Sequence, residues 1–352
     1  MKKKKKRTSF KRAALRFLCS ILGVILALMI AFTLWFHSML GQINYVEAQQ
    51  APLLSQQELD QLLYADSLSI DAPAVETPQE TEPEEVNFEE HATSIGGKRS
   101  GIINILLIGQ DRRPGETRAR SDSMILCSFN KKSKTLTMTS FLRDLYVEIP
   151  GFQNNRINVA YAAGGMPLLN ETLENNFGIR VDGNVEVDFT QFSKIVDALG
   201  GVTITLRQDE ANLINRDVGG TLQEGSCLLN GEQALTYARI RSLDGDGDFS
   251  RTSRQRNVIN AILNAYKEAS LPTILTLMDQ VLPMVTTDIQ DTKLLSYALE
   301  LAPMLPEMRI VSQRIPADGT YTGKMIRGMA VLVADMEANR QLLRDSIQGD
   351  SD

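Results

Sequence analysis

From Gly101 onward, short apolar runs alternate with amphipathic segments along the chain. Continuous or alternating apolar runs are typical of strands, which we predict at 102–108, 123–130, 135–141, 145–149, 185–189, 202–206 and 309–314. Apolar residues at helical spacing predict helices at 166–177, 192–199, 252–269, 271–284, 291–302 and 328–347. Strands that alternate with helices indicate an α/β layered domain with helices on both faces of the sheet.

The pattern before residue 101 is different. Residues 17–36 form a run of twenty residues without a charge, long enough for a helix that crosses about 30 Å of hydrocarbon. Residues 1–16 carry nine Lys or Arg and no acid, so the positive-inside rule places them in the cytoplasm and everything after the span outside. A cleaved signal peptide is the alternative, but its apolar core is usually shorter and ends in small residues. This run ends in Trp35-Phe36, which favours an uncleaved anchor.

Residues 37–97 are polar and acidic, with four prolines. Twelve Asp or Glu and no Lys or Arg fall within 44–97, which predicts a solvated, self-repelling linker with a short helix at 55–63. We therefore expect a single-pass membrane protein whose domain at 98–352 lies outside the cell, at a variable distance from the bilayer. A basic tail that abuts a span is explained by orientation and anionic lipid, so we expect no nucleic-acid partner.

Composition narrows the chemistry of the domain. The chain has 352 residues, of which 43% are apolar, and both histidines, His37 and His91, precede the folded region. A histidine general base and a histidine-rich metal site are therefore excluded there. Three cysteines are too few for a disulfide scaffold. Cys127 and Cys227 either pair or remain buried thiols, and the sequence leaves both open.

The charged residues of the domain gather in four clusters at the ends of predicted elements, with a bias to arginine. The clusters are 110–113 (QDRR), 118–122 (RARSD), 140–144 (SFLRD), and the segment with Arg239, Arg241, Asp244, Asp246, Asp248, Arg251, Arg254 and Gln255. Ligands of open α/β sheets bind at the carboxyl ends of strands. Arginine matches phosphate oxygens with its planar fork, and a carboxylate beside it can hold Mg²⁺. The sequence therefore indicates a polyanionic phosphate ligand bridged by a divalent ion.

Two less specific interpretations compete with that one. Any single Arg–Asp pair is more often a structural ion pair. The segment DGDGD at 244–248 resembles the start of a Ca²⁺ loop, but the closing glutamate is absent, so a glycine-rich loop is the alternative. The chain has no GxxxxGK[ST], GxSxG or HExxH motif, so electrostatic activation of an incoming hydroxyl fits better than a nucleophilic serine.

Several ordered motifs resemble those of the LytR–CpsA–Psr family of cell-wall polymer ligases. They are NILLIGQDRR, RARSDSMIL, SFLRDLYVEIPG, RINVAYAAGG, VDALGGV, LNGEQALTYARIR and DGDFSRTSRQR. The resemblance covers residues 100–345 and implies a three-layer α/β/α domain with a mixed central sheet and an apolar pocket for a polyprenyl chain. Apolar stripes such as Ile195, Val196 and Leu199 are more often plain core than pocket lining, so no pocket residue is assigned. The chain departs from the family at Phe141-Leu142, where an Ile-Pro pair is usual.

The resemblance also implies roles for individual residues. Mg²⁺ or Mn²⁺ would be held by Asp111 and Asp122. The catalytic groups would be Arg120, Asp122, Arg143, Arg239 and Arg241. The substrate-binding groups would be Arg113, Arg143, Arg156, Arg239, Arg241, Arg251 and Gln255, while Asp144 and Asp248 match acidic positions of the same motifs. Adjacency to Ser121-Asp122 favours Arg120 over Arg118.

The resemblance implies a membrane-anchored phosphotransferase in a cell envelope of Gram-positive type. Its donor would be a teichoic-acid or capsular glycopolymer on an undecaprenyl-pyrophosphate carrier, and its acceptor would be peptidoglycan. A polyprenyl-pyrophosphate phosphatase is a second reading, with water in place of the sugar hydroxyl. A regulatory or scaffolding envelope protein, or a wall-binding module without catalysis, is a third.

Overall fold

The computed structural model describes residues 35–47, 53–55, 57–59, 95, 101–110, 121–245 and 247–349. The chain forms two compact units, Met1–Ile43 and Asn44–Asp352. The described part of the first unit contains a short helix at 35–40. Within the described ranges, no helix is both long and apolar enough to cross a membrane. The predicted span at 17–36 lies outside these ranges except for its last two residues.

A seven-stranded mixed sheet lies at the centre of the second unit, and its strands are numbered here in chain order. In spatial order they are β1 (Asn44–Tyr45), β10 (Thr286–Thr287), β7 (Gly183–Asp188), β2 (Ile102–Gln110), β3 (Ser121–Asn130), β4 (Thr135–Phe141) and β11 (Arg309–Ile315). The pairs β1–β10, β7–β2 and β4–β11 are parallel, and the others are antiparallel. The predicted α/β fold with a mixed central sheet is confirmed.

Three short two-stranded sheets and eight helices complete the described fold. The paired strands are β5 (Tyr146–Val147) with β6 (Asn155–Arg156), β8 (Val202–Leu206) with β9 (Gly225–Leu229), and β12 (Tyr321–Ile326) with β13 (Met329–Ala334). The helices are α1 (Ile157–Phe177), α2 (Phe189–Ala198), α3 (Gln208–Val218), α4 (Gly231–Arg239), α5 (Asp248–Glu268), α6 (Leu271–Val281), α7 (Asp291–Leu301) and α8 (Met336–Gln348). Turns of 3-10 helix follow at Leu282–Met284 and Leu305–Glu307.

The central sheet is covered on both faces, which explains the continuous apolar run of β2. Leu106 and Ile108 belong to a core shared with α1 and α8. Ile103 and Ile105 point the other way, into a second core that includes side chains of α5 and α7. Since successive side chains of a strand alternate between faces, a strand buried on both sides reads as an unbroken apolar segment.

A third core lies outside the central sheet. It joins β8 and β9 to α2, α3, α4 and the middle of α5. Val196 is fully buried there, so this member of the candidate apolar stripe is plain core. Helix α5 contributes to two cores, because Val258 packs into this one and Ile259 against the sheet. The middle of α5 is therefore held between two packed cores.

The predicted helix at 328–347 is wrong over its first third. Residues 329–334 form β13, which pairs with β12 through a turn in which Arg327 (φ 50°) and Gly328 (φ 73°) have left-handed backbones. Positive φ at both central residues is the geometry of a tight hairpin turn. A six-residue apolar run is too short for its period to separate strand from helix. The helix begins at Met336, where the Asp335 side chain accepts a hydrogen bond from the Ala338 backbone.

Several other elements differ from the predictions. Helix α1 starts well before the predicted 166 and bends at Gly165, whose backbone (φ 67°, ψ −153°) is not helical. Helix α3 and strand β9 lie in segments for which no element was predicted. Cys227 lies in β9, and both Cys127 and Cys227 are free thiols, of which Cys127 is buried and Cys227 is half-buried.

The described parts of the predicted linker belong partly to the folded unit. Ser55 and Glu58 form a reciprocal N-terminal cap for a helical turn at 57–59, where a short helix was predicted. Leu59 and Ile95 are buried in the α1 core, and β1 lies at one edge of the sheet. These isolated apolar residues in an otherwise polar segment bury against the domain instead of extending into water.

Candidate functional site: an arginine–aspartate network

Arg143 occupies the centre of a charged network at the end of β4. It follows β4 by two residues and contacts carboxylates from three different segments. Its Nε donates to Asp248 Oδ2 at 3.0 Å and its Nη1 to Asp122 Oδ1 at 3.2 Å. Asp144 Oδ2 lies 3.6 Å from the same Nε. Burial favours the neutral form, but Asp248, Asp144 and Asp122 together raise the pKa of Arg143 above its ordinary value.

Asp248 is the carboxylate that gathers most of the guanidinium groups. It is the first residue of α5, where the helix dipole favours a negative charge. Besides Arg143, its oxygens lie 3.4 Å from Arg241 Nε and 3.0 Å from Arg251 Nη2. Burial is the largest influence on its carboxyl group and raises its pKa, although Arg143 and Arg241 act in the opposite direction.

Arg251 is the most deeply buried member of the network. Its side chain is 3% exposed, and its Nη2 also donates to the Asp122 carbonyl oxygen at 3.4 Å. Its Nε is buried and has no hydrogen-bond partner among the described residues. A buried donor without a partner costs stability, so this nitrogen is a candidate contact for a ligand atom or a water molecule.

Two further arginines extend the network. Arg156, at the start of α1, donates from Nη1 to Asp144 Oδ1 at 3.2 Å. The pKa of Arg241 is lowered by burial and next by the charge of Arg143. We call the connected set the arginine–aspartate network: Asp122, Arg143, Asp144, Arg156, Arg241, Asp248 and Arg251. Four arginines and three aspartates leave one excess positive charge, and each guanidinium has donors beyond those that the aspartates use.

The two remaining described site residues, Gln255 and Arg239, contact groups that are not members of this network. Gln255 is four residues after Arg251 on α5, and its Oε1 accepts a hydrogen bond from Ser123 Oγ at 3.0 Å. Arg239 ends α4, and its guanidinium carbon lies 4.6 Å above the centre of the Phe189 ring. Asp111, Arg113 and Arg120 lie outside the described residues, so their roles stay predictions.

The structure divides the fourth sequence cluster between two networks. Arg254 is buried and donates from Nε to Glu210 Oε1 at 2.8 Å, and it also pairs with Asp244. Burial acts against ionisation of Asp244, yet hydrogen bonds from Arg254 and Arg207 lower its pKa to about 2. These ion pairs fasten α5 to α3. For these residues the structure therefore agrees with the competing interpretation, in which an Arg–Asp pair is a structural ion pair.

The sequence suggested two cation sites, a Ca²⁺ loop at 244–248 and a Mg²⁺ site at Asp111 and Asp122. In the DGDGD segment, Asp244 and Asp248 both contact arginines, and Asp246 lies outside the described residues. Among the described residues, no three acidic, histidine or cysteine side chains form a metal cluster. Asp122 does fit a magnesium ligand, because its Oδ2 accepts no hydrogen bond from the described chain while Oδ1 holds Arg143. Mg²⁺ needs only one or two carboxylates when phosphate oxygens and waters supply the rest.

Sequence reasoning gave Asp144 and Asp248 uncertain roles, and the structure places both within the network. It also missed Ser123, whose partner Gln255 is distant along the chain. The signal for Asp248 was available, because it stands three residues before Arg251 and begins the helix. No sequence signal connects Ser123 to Gln255.

The second unit is thus an α/β domain in which four arginines and three aspartates meet at the end of β4. The family model described as the LytR_cpsA_psr family matches residues 67–346. The chain therefore belongs to the LytR–CpsA–Psr family.

Individual relatives agree with this assignment. Regulatory protein MsrR of Staphylococcus aureus is 32% identical over 261 residues, which are 72% of this chain and 76% of that protein. The polyisoprenyl-teichoic acid–peptidoglycan teichoic acid transferase TagT of Bacillus subtilis is 37% identical over 217 residues, 59% of this chain and 66% of that protein. The solved structure of YwtF (TagT) with bound octaprenyl pyrophosphate lipid is 28% identical, with a TM-score of 0.56, and the match covers 74% of this chain and 96% of that chain.

Proposed function

We propose that this chain is a membrane-anchored phosphotransferase. It would move a glycopolymer of teichoic-acid or capsular type from an undecaprenyl-pyrophosphate carrier to peptidoglycan. The observation that carries the proposal is the network itself, in which arginines from four segments share three aspartates, and the buried Arg251 Nε has no hydrogen-bond partner among the described residues. The named activity of TagT and the lipid bound in the YwtF structure support a donor of this chemistry.

The diphosphate would bind to the arginines of the network. Arg251 and Arg241 have donors left after pairing with Asp248, and these would reach phosphate oxygens. Gln255 and Arg239 would complete the head-group site, together with Arg113 and Arg120. Mg²⁺ or Mn²⁺ at Asp122 and Asp111 would supply further positive charge against the diphosphate.

The chemistry is a displacement at phosphorus. The acceptor hydroxyl oxygen forms a bond to the phosphorus next to the polymer, and the bond from that phosphorus to the bridging oxygen breaks. Polyprenyl phosphate leaves, and the hydroxyl proton passes to a carboxylate. Asp248 suits this step because burial raises its pKa. As the diphosphate takes over the arginines, Asp248 loses partners and becomes a stronger proton acceptor. The arginines stabilise the charge of the leaving phosphate.

The test is transfer by the purified full chain in detergent with Mg²⁺, a synthetic polyprenyl-diphosphate-linked saccharide and peptidoglycan. We expect a phosphodiester on the glycan and polyprenyl monophosphate as the lipid product. Arg143→Gln should lower the rate by about 100-fold or more, as the loss of one preorganised donor does in other sites. Arg309→Gln, an exposed arginine of β11, is the control and should keep the rate.

The outcomes separate the alternatives. Release of free polymer phosphate despite saturating acceptor would mean that water is the acceptor and that the chain is a phosphatase. MsrR is named a regulatory protein, so a non-catalytic role has one relative in its favour. Absence of both products with authentic substrates would overturn the transferase proposal. A normal rate in Arg143→Gln would remove the network from the mechanism.

A further inference from the structure

A second group of cations lies at the same end of β4, on the face that packs against α5. Arg256 of α5 is 8% exposed and donates from Nη1 to Ser140 Oγ at 2.7 Å. Ser140 is the residue of β4 that lies opposite Arg314 of β11 in the parallel register. The two arginines are therefore brought together by strand pairing and helix packing, although they are distant along the chain.

Arg256 lacks the compensation that other buried arginines have. Arg251 and Arg254, on the same helix, each pair with a carboxylate. Within the described residues, Arg256 contacts a hydroxyl and no carboxylate. Burial, and next the positive charge of Arg314, lower the pKa of Arg256 to about 10. A buried cation whose charged neighbour is a second cation is unfavourable unless an anion binds between them.

Arg314 carries an independent sign of a missing partner. Its Nη2 pairs with Asp318, whose side chain is 84% exposed. Its Nε is buried and has no hydrogen-bond partner among the described residues. The only carboxylate that the described chain offers Arg314 therefore lies mostly in water, and one donor of its fork is left for a ligand atom.

Two aromatic rings border the same place. The guanidinium carbon of Arg314 lies 4.5 Å above the centre of the Phe249 ring. Phe249 also stacks with Tyr321, with ring centres 5.3 Å apart and planes inclined by 27°. Both rings are half-buried, so each retains surface for a ligand. The C–H face of a sugar packs on an aromatic ring, and a tyrosine hydroxyl adds a polar group at the edge.

The second site adjoins the arginine–aspartate network. Phe249 follows Asp248 directly, and Ser140 precedes Arg143 by three residues. Arg256 lies eight residues after Asp248 on α5, about 12 Å along the helix axis. A saccharide held here would lie within a few sugar lengths of the diphosphate.

We propose that Arg256, Arg314, Phe249 and Tyr321 bind an anionic saccharide, with the two arginines on its acidic group and the rings on a sugar face. This inference rests on the proposed transferase function. It adds a saccharide site distinct from the diphosphate site. A carboxylate of the acceptor peptidoglycan and a phosphodiester of the donor polymer share this chemistry, and the experiment below distinguishes them.

The kinetic test uses Arg314→Gln in the full chain, with Arg309→Gln at the exposed opposite end of the same strand as its matched control. We expect Arg314→Gln to raise one KM at least 10-fold while kcat changes less than 3-fold. A rise in the KM for peptidoglycan identifies the acceptor as the ligand, and a rise in the KM for the lipid-linked polymer identifies the donor. Both KM values equal to those of the control would overturn the proposal.

A binding test measures saccharide affinity without requiring any transfer. The full chain is titrated with a soluble, uncrosslinked peptidoglycan strand, and with a neutral oligomer of N-acetylglucosamine as the ligand control. We expect the anionic strand to bind at least 10-fold more tightly, and Arg314→Gln to remove the difference, if the acceptor is the ligand. If the donor is the ligand, the same difference is expected between a phosphodiester-linked polymer and the neutral oligomer.

Arg256→Lys serves as the second variant, because a lysine keeps the charge where glutamine could unfold the site. Arg256→Lys should bind the anionic ligand with an affinity within about 3-fold of that of the unsubstituted chain. Anion-dependent binding without any transfer would leave the site standing and overturn the transferase function. Normal transfer and binding in Arg314→Gln would leave the function standing and overturn the site.

Discussion

At the scale of single residues, Asp248 connects most of the arginine–aspartate network. Its two oxygens lie within ion-pair distance of Arg143, Arg241 and Arg251. Without its charge these guanidinium groups would repel one another inside a half-buried site. The same carboxylate has a pKa raised by burial, so one residue both holds the arginines in place and suits proton transfer.

Replacing Asp248 tests that double role. Asp248→Asn keeps the shape and removes the charge, so we expect loss of transfer by about 100-fold or more. The free energy of unfolding should fall by about 2–4 kcal/mol, because the buried Arg251 and the half-buried Arg143 lose a partner. Activity and urea denaturation measure the two effects. Asp217→Asn is the control, since Asp217 pairs with Arg216 at the surface and should leave both quantities unchanged. Equal activity and equal unfolding free energy in the two variants would contradict the role assigned to Asp248.

The two described cysteines should differ in reactivity. Cys127 is buried in the sheet, and burial raises its pKa to about 12, so little thiolate exists at pH 8. Cys227 is half-exposed, and its thiol donates to the Gln223 carbonyl oxygen. We expect iodoacetamide to modify Cys227 in the folded protein, and Cys127 only after unfolding, as measured by peptide mass spectrometry. A disulfide between them, or equal labelling rates, would contradict the fold described.

At the scale of elements, the predictions succeeded where one physical signal dominates. Strands β4 and β8 were predicted at their observed bounds, because apolar runs between turn residues specify short strands. The residues 329–334 were mispredicted, because a short apolar run fits either period until the Arg327-Gly328 turn is known. Helix α3 was missed because it buries only Glu210, Ala211 and Ile214 and most of its other residues are polar.

The site residues likewise fall into those that the sequence could predict and those that it could not. Asp122, Arg143 and Arg251 could be predicted, because motifs place them at element ends, and the structure brings them together. Arg314 could not, because its approach to Arg256 depends on the register of β11 against β4. Pairings between distant segments carry no local signal, so the second cationic site becomes visible only in the folded molecule.

The bend in α1 is an element-scale feature that one residue controls. Gly165 has φ 67° and ψ −153°, a backbone conformation that essentially only glycine adopts. Gly165→Ala should therefore lower the free energy of unfolding by about 1–3 kcal/mol. Gly323→Ala is the control, because Gly323 lies in β12 with open space around a new Cβ. Thermal unfolding of both variants measures the difference, and equal melting temperatures would show that α1 is straight.

At the scale of the whole molecule, α5 joins two packed cores of the second unit and carries charged groups of two ion-pair networks. Helix α5 contacts two of the cores, and its first turns carry Asp248, Arg251, Arg254 and Arg256. The two networks on this helix have different tasks. Arg254 fastens α5 to α3, while Arg251 belongs to the candidate diphosphate site.

Topology is a prediction for the whole chain. A basic segment at 1–16 before the apolar run at 17–36 should leave the C-terminus outside the cell. Alkaline phosphatase, which is active only outside, should therefore be active when fused after residue 352. Fusion after residue 16, before the apolar run, is the matched control and should give no activity. The reverse pattern would place the domain in the cytoplasm, where peptidoglycan is absent.

The most direct measurement is binding of a short-chain polyprenyl diphosphate to the full chain in detergent, compared with the corresponding polyprenyl alcohol. The two ligands share the apolar chain and differ in the anionic head. We predict that the diphosphate binds at least 100-fold more tightly, and that Arg251→Gln, but not Arg309→Gln, removes most of that preference. Equal affinity for the two ligands would contradict a diphosphate site at the arginine–aspartate network.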